Sequence, residues 1–557
     1  VEPTVAEPVR ITFLGGLGEI GRNCACVEVE GEIILLDCGL MFPDLDMLGV
    51  DLVLCDFTYL RENADRVVGC IATHGHEDHV GALSFLLREL SFPVYVSALT
   101  LGLARNRIEE AGLLDRTELI AVKDGERRRI GPIECEFLPV THSVPHGFAT
   151  AFHTPQGTIL HSGDFKLDLN PVDGRLTDLS TMGAIARGEG IRLLLSDSTN
   201  ADEPGHSNSE TSVGSVLYGL FHAHEGRRIV CACFASHVHR VQQIADAAIA
   251  FGRKVTTVGL SMKKNVKLAR EMGVLHIPDH AMIDIEDVDD YEPGEVCIIS
   301  TGSQGEPMSA LSLMAAKESR WLKLTDQDTV ILSSHPIPGN EAPVSKVIDG
   351  LIRIGAKVVH SGIADVHATG HAQQEELKTV LSVTRPEWFV PVHGEYRHLI
   401  AHAGLAESMG VEPENILVCE DGDSIVIDDD GVHRGDRVPA GYLYVDGIVG
   451  DVGQGVLRDR QVLANEGVVV VIVSVDAESG ELLTEPEIVT RGWVYAPEAE
   501  GLLDEAADTV RRAVADAHDH DAFDIESLQR VVRRAAGKFV SDKTKRRPMI
   551  VPVVLEA

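Results

Sequence analysis

Val67-Val-Gly-Cys-Ile-Ala-Thr73 runs directly into His74-Gly-His76-Glu-Asp78-His79. The first stretch is short, apolar and rich in β-branched residues, and it reads as a buried strand. The second places four metal-capable side chains within six residues at that strand's end. A strand-to-helix turn there lets the two histidines of H-x-H face one ion while the aspartate and histidine of D-H face a second. A lone histidine, such as His153 or His280, is ordinarily a satisfied surface or core residue. Four ligating groups at this spacing have no such bland account. Downstream, Gly81–Leu90 has helical spacing, so the decisive unit is strand, ligand turn, helix.

Two catalytic cations need further ligands, with a position left open for water. The missing groups are expected at other strand ends. His142 follows Ile133–Val140, Asp164 follows Thr158–His161, and His393 follows Trp388–Val392. Each has an ordinary reading when taken singly; spaced along one sheet edge, they reinforce one another. A carboxylate has two oxygens and can bridge two cations, a role that suits Asp164. A second motif, Gly16-Leu-Gly18-Glu-Ile-Gly21, matches G-x-G-x-x-G but lacks the helix that a dinucleotide site needs. Cys24–Glu30 alternates at period two, as a strand does, so the glycines read as a tight turn between strands.

Composition fits metal chemistry. The chain has 557 residues, too many for one ordinary domain, and 44% are hydrophobic, enough for several cores. Disordered and fibrous classes are thereby excluded. With 49 basic against 86 acidic residues the net charge is −37. Bulk charge therefore cannot carry a polyanion, which leaves local basic tracks or bound cations. Histidine is abundant, at 24 residues. The ten cysteines form no C-x-x-C pair and read as buried thiols in a reduced compartment. No apolar run reaches membrane-spanning length, and Val1–Pro8 is unlike a signal peptide. The expectation is a cytoplasmic protein without a membrane.

The pattern changes along the chain. Residues 9–211 alternate strands with glycine-rich turns and a few helices. Residues 212–361 switch to strand–helix–strand order, an α/β insertion of Rossmann-like style. Residues 362–449 return to histidine-bearing strands and loops. Residues 450–557 form a linker and a small α/β domain: the strand Val468–Val475, two amphipathic helices, the second capped by Asp524, and a last strand at Met549–Leu555.

The complete H-x-H-x-D-H word resembles the metallo-β-lactamase superfamily. Leu195-Ser-Asp197-Ser-Thr-Asn200, Ala368-Thr-Gly-His371-Ala and Pro391-Val-His393-Gly narrow the resemblance to its β-CASP nucleases. Four more stretches are similar to the bacterial ribonuclease J family: Gly15–Gly21, Phe234-Ala-Ser-His-Val-His-Arg240, Ser300-Thr-Gly-Ser-Gln-Gly-Glu-Pro307 and Lys543-Thr-Lys-Arg-Arg-Pro-Met549. The likeness runs from about Arg10 to the C-terminus. It implies a metallo-β-lactamase αββα sandwich with an inserted Rossmann-like β-CASP domain and a small C-terminal α/β domain. After His142 this chain reads Ser-Val-Pro-His146, a departure that leaves the role of His146 open.

The resemblance implies two zinc ions per subunit, with Mn²⁺ or Mg²⁺ able to serve in activity. His74, His76 and His142 would hold one, Asp78, His79 and His393 the other, and Asp164 would bridge them. His371 is the candidate proton donor to the leaving oxygen, Asp197 its orienter, and Asp78 a further catalytic group. Small polar turns after strands expose N–H groups suited to phosphate. Ser236, His237, Ser303 and Ser334, with the loop His367, Ala368, Thr369, Gly370 and His371, are thus the candidate RNA contacts. Arg127–Arg129, Lys263–Lys264 and Lys543–Arg547 are candidate RNA tracks or solvated faces. Asp51 and Asp446 are candidates for one structural Ca²⁺.

The function expected is a 5′→3′ exoribonuclease that prefers 5′-monophosphate ends and also cuts internally, in RNA maturation and mRNA decay. The partners implied are RNA, a second or further copies in a homodimer or homotetramer, and other RNA-decay proteins. The competing readings are a DNA nuclease of the cross-link repair type, a small-molecule hydrolase sharing the first half, and a catalytically silent scaffold of an RNA-degrading complex. Small-molecule hydrolases need neither the insertion nor the tail, and a silent scaffold needs no complete ligand set.

Overall fold

A computed structural model describes residues 7–557 apart from 45, 338, 448–449, 478, 480, 495–498 and 519–523. Most of the Val1–Pro8 segment and the expected boundary at 449/450 therefore lie outside the described residues. The chain forms two compact units, Val1–Phe42 with Val53–Tyr442, and Pro43–Leu52 with Leu443–Ala557.

The first unit contains a sandwich of two mixed sheets. One has eight strands in the order Gly431–Arg434, Ser424–Asp428, Val9–Gly15, Cys24–Val29, Glu32–Leu36, Val67–Ile71, Val94–Ser97 and Leu119–Val122. The other has six: Arg127–Ile130, Ile133–Pro139, Phe148–Thr154, Gly157–His161, Ile191–Asp197 and Trp388–Val392. Their inner faces share one core, in which Ile11, Val27, Ile34 and Ile71 meet Phe137, Phe152, Ile159 and Leu193. Outside the six-stranded sheet, the helices Leu179–Gly188, Gln374–Thr384 and Tyr396–Ser408 bury Met182, Leu377, Val380 and Ala406 against Leu160, Leu194 and Phe389. Layering helix, sheet, sheet and helix is how two half-apolar sheets bury both faces.

The insertion is a five-stranded parallel sheet in the order Lys254–Val258, Val296–Ser300, Arg228–Ala232, Asp328–Leu332 and Lys357–Val359. These strands carry almost unbroken apolar runs because helices cover both faces. The helix Glu210–Ala223 runs across the expected 211/212 boundary and packs Val213, Leu217 and Phe221 into the insertion's core. The passage between the two folds is therefore helical.

In the second unit Val468–Val475 pairs with Glu487–Arg491 and, in parallel, with Met549–Glu556. Its alternate residues Val469, Val471, Val473 and Val475 are buried under helices Glu500–His518 and Ile525–Thr544. Asp524 caps the second helix by accepting the Ser527 N–H at 2.8 Å. Ile525, at that helix's first turn, is exposed; the buried stripe is Leu528, Val532, Ala536 and Val540.

Candidate metal centre

Strand Val67–Ile71 lies between two parallel neighbours, so its C-terminal end and that of Glu32–Leu36 open at the same edge. There the short helix Glu77–Val80 carries Asp78 and His79. Gly39 lets this turn dock: a Cβ on it would stand 1.6 Å from the Asp78 carbonyl oxygen. The six-stranded sheet contributes His142, Asp164 and His393 from the ends of its own strands. His393 takes a left-handed φ of 56°, which turns its ring back towards the cluster.

Three donor groups result: one is Asp197, His371 and His393, and the other two share Asp164. Of these two, His74, His76, His142 and Asp164 form one; Asp78, His79, Asp164 and His393 form the other, each with its ligand atoms within 4.8 Å of one another. Asp164 belongs to both. Its Oδ2 lies 3.2 Å from His79 Nε2, 3.5 Å from His393 Nε2 and 3.6 Å from His74 Nε2. The separate ligands read from the sequence thus converge as six side chains around one shared carboxylate.

The outward nitrogens of these rings are tied down, which fixes the tautomers. His142 Nδ1 donates to the Gly370 carbonyl at 2.7 Å. His79 Nδ1 donates to Asp37 Oδ2 at 2.8 Å, and His393 Nδ1 lies 2.6 Å from Thr199 Oγ1. With Nδ1 occupied, the Nε2 lone pairs of His142 and His79 face inward. There His74 Nε2 and His142 Nε2 approach His76 Nδ1 at 3.0 and 3.2 Å. Converging imidazole and carboxylate lone pairs fit divalent cations of the borderline kind that nitrogen and oxygen ligands select.

Electrostatics follow the same division. Burial pushes His76 down to about 4 and holds His74 and His142 well below the ordinary histidine range, so all three present neutral rings. Burial also pulls on His79 and His393, but Asp164 and the neighbouring aspartates prevail and raise both. For Asp164 and Asp78 burial works upward, yet the surrounding histidines keep each well below the usual carboxylate range.

Beside this cage stands a dyad. His371 Nδ1 lies 2.7 Å from Asp197 Oδ2. Its ring packs edge-on to His142 and stacks at 5.4 Å on His393. Asp197 Oδ1 is held by the Thr199 N–H and hydroxyl at 3.0 and 2.8 Å. Burial alone would lower His371, but the charge and hydrogen bond of Asp197 raise it above the ordinary value.

The loop before His371 supports the site from behind. Asn200 Nδ2 donates to Thr369 Oγ1 at 2.9 Å and to the His371 carbonyl at 3.1 Å. A Cβ on Gly370 would reach within 2.7 Å of the His142 ring. Ala368 is buried in the insertion's core, and His367 Nδ1 is a buried nitrogen with no hydrogen-bond partner. His237 caps the helix Val238–Ala250, half-buried Ser236 precedes it, and the Ser334 hydroxyl donates to the Ser303 carbonyl at 3.2 Å. Behind them Arg240 is wholly buried on Glu210, Ser333 and the Val366 carbonyl.

Asp37, Asn23 and Thr199 were not singled out in the sequence. Asn23 Nδ2 reaches the Asp78 carbonyl at 3.1 Å and His79 Nε2 at 3.2 Å. The one available signal was Asp37 at the end of a buried strand, beside the strand bearing the histidines. His146, with a φ of 64°, belongs to none of the donor groups; burial, with Arg175, keeps it low. In the second unit, Asp446 Oδ2 accepts from Arg460 at 2.7 Å and Asp51 Oδ2 from the Gly447 N–H at 2.8 Å. No donor group among the described residues includes either aspartate. Of the basic runs, Arg127 and Arg128 pair with glutamates, Lys264 with Glu110 and Lys543 with Glu505.

An αββα sandwich with this paired donor set, carrying a parallel α/β insertion, defines a metallo-β-lactamase-type hydrolase with a β-CASP domain. Family comparisons agree along the chain: metallo-beta-lactamase superfamily at residues 17–215, ribonuclease J beta-CASP domain at 226–351, Zn-dependent metallo-hydrolase RNA specificity domain at 355–417, and ribonuclease J C-terminal domain at 455–557. The chain is 43% identical over 559 residues to ribonuclease J of Mycobacterium tuberculosis, covering 100% of this chain and 98% of that one. It is 39% identical over 552 residues to ribonuclease J2 of Bacillus subtilis, covering 99% of each. A crystallised protein of unknown function from Enterococcus faecalis V583 shares the fold over 75% of this chain and 100% of its own, with a TM-score of 0.53 at 16% identity. The chain belongs to the ribonuclease J family and is a metal-dependent ribonuclease. No described helix is long and apolar enough to cross a membrane.

Proposed function

We propose that the protein degrades RNA from the 5′ end, prefers a 5′-monophosphate, and also cuts internally. The observation that carries this reading is the His371–Asp197 dyad stacked against ligands of both donor groups that share Asp164. His74, His76 and His142 would hold one zinc ion, Asp78, His79 and His393 a second, with Asp164 between them. Bound there, such cations supply Lewis acidity to phosphoryl oxygens and make water a stronger acid.

The chain's own residues do the rest. Asp197 holds His371 by Nδ1, so the proton on Nε2 points away from the dyad and is available to the departing 3′ oxygen. Asp37 and the Gly370 carbonyl hold the His79 and His142 rings in place, and Asp164 and Asp78 bring two carboxylates to the donor set. The turns at Ser236, His237, Ser303 and Ser334, with His367–His371, lie at carboxyl ends of parallel strands, where α/β sheets take ligands. A terminal monophosphate held there sets the next phosphodiester beside His371; a triphosphate brings two more charged groups into the same space. The working domain limits are 9–211, 212–361, 362–449 and 450–557. The protein works as a homodimer or homotetramer in the cytoplasm.

The test compares 3′-labelled RNAs bearing a 5′-monophosphate or 5′-triphosphate. Faster release of 5′-mononucleotides from the monophosphate is expected, and His371→Ala should keep its metal while losing about 10²-fold in turnover. Equal rates on the two ends, or mononucleotides released first from the 3′ end, would overturn the reading.

A further inference from the structure

Trp321 is the most exposed of the three tryptophans: 43% of it is exposed, against 6% for Trp493, and Trp388 is half-buried. It follows the helix Ala310–Ala315 in the stretch Lys317-Glu-Ser-Arg320-Trp321-Leu-Lys323. Its neighbour Leu322 is buried in the core with Leu311 and Met314. The Ser319 hydroxyl oxygen accepts the N–H groups of Trp321 and Leu322, both at 3.3 Å. The ring is thus held outward by a fixed turn.

Two cations from different elements flank that ring. Arg320 Cζ lies 4.5 Å from its centroid, and Lys263 Nζ, in the first turn of helix Leu260–Glu271, lies 5.5 Å away. Among the described residues neither has a carboxylate at ion-pair distance, and neither do Lys317 or Lys323. Lys264, adjacent to Lys263, pairs instead with Glu110. The two cations over the ring carry positive charge beside an exposed aromatic side chain. Indole faces flanked by cations suit a planar base with a phosphate beside it.

We propose that Trp321, Lys263 and Arg320 form a platform on which a base of single-stranded RNA stacks, outside the catalytic centre. Lys263 follows strand Lys254–Val258 at the carboxyl edge of the parallel sheet, the edge that also bears the Ser303 and Ser334 turns. The platform extends that edge as a grip on the body of the substrate. This rests on the ribonuclease reading, and it names an interaction which that reading does not require.

The test uses the full-length metal-loaded protein and a cleavage-resistant 2′-O-methyl adenylate of about 30 nucleotides. Binding should quench tryptophan fluorescence. Trp321→Ala should weaken binding by about 5-fold or more, and Trp321→Phe should restore most of the affinity while losing the quench. Lys263→Gln with Arg320→Gln should reduce the slope of log affinity against log salt by about 1.4, some 0.7 for each single-strand phosphate that the protein no longer neutralises. Unchanged binding in Trp321→Ala with unchanged thermal unfolding overturns the platform. So does displacement of the RNA by polyglutamate at equal charge concentration, which would mark an acidic-protein surface. If the wild type binds the oligonucleotide through Trp321 but cuts no RNA, the ribonuclease reading fails and the platform stands.

Discussion

Replacing Asp197 by asparagine removes one charge from the site at almost constant volume. The carboxylate is 2% exposed, lies 2.7 Å from His371 Nδ1 and is braced by Thr199, so solvent cannot substitute for it. A charge-assisted hydrogen bond of this kind contributes about 1.5–3 kcal/mol. Its loss lowers the His371 pKa, because burial then works without the opposing carboxylate. The sign follows from the direction of the shift. His371 is raised in the native protein, so its protonated form persists to higher pH than an ordinary histidine; without Asp197, burial prevails and the proton leaves earlier. The alkaline limb of kcat/KM in single-turnover cleavage should therefore move to lower pH, with the rate at pH 7 falling by about 10- to 100-fold, the factor that ~1.5–3 kcal/mol represents. The deficit should shrink towards pH 5.5. Bound metal must be measured alongside, because His393 Nδ1 is only 3.5 Å from Asp197 Oδ1. A lower rate with an unmoved alkaline limb and full metal content would refute the assignment of Asp197 as the group that sets the proton on His371.

Two further outcomes test the supports around the centre. Asp37→Ala frees the His79 ring and leaves the Thr73 N–H without its 2.7 Å acceptor, so metal affinity measured by chelator competition should fall about 10- to 100-fold; unchanged affinity would remove Asp37 from the site. Arg240→Met leaves Glu210 buried with only His237 facing it, which costs about 3–5 kcal/mol in urea denaturation. In the native protein burial works to raise Glu210, but His237 and Arg240 hold it well below its usual range, a stabilisation lost as pH falls. In the variant burial is opposed by His237 alone, so Glu210 sits higher than in the native protein and the deficit is largest where Glu210 is ionised; a deficit below about 1 kcal/mol at pH 8 would count against the buried pair.

The local elements were legible because their signals are local. Val468–Val475 is a strand-length β-branched apolar run, although the structure buries only its alternate residues, Lys254–Val258 is bounded by turn residues, and Asp524 caps its helix in the register its side chain dictates. The ligand word His74–His79 was equally plain, since its four groups lie within one turn of chain. Strand ends picked out His142, Asp164 and His393 because parallel and mixed sheets open at those ends. What the sequence by itself could not fix was which groups meet across the fold. Asp37 reaches His79 from 42 positions away, Thr199 reaches His393 from 194, and Gly370 turns His142 from 228. Those contacts depend on strand order, and Ser424–Asp428 joins Val9–Gly15 only by crossing more than 400 residues. Exposure is likewise a tertiary property: Trp321 and Trp493 read alike along the chain, and only packing decides which ring is buried and which is left open between two cations. Hydrophobic periodicity encodes which face of an element turns inward; the partner that face meets is set by the closure of the whole chain.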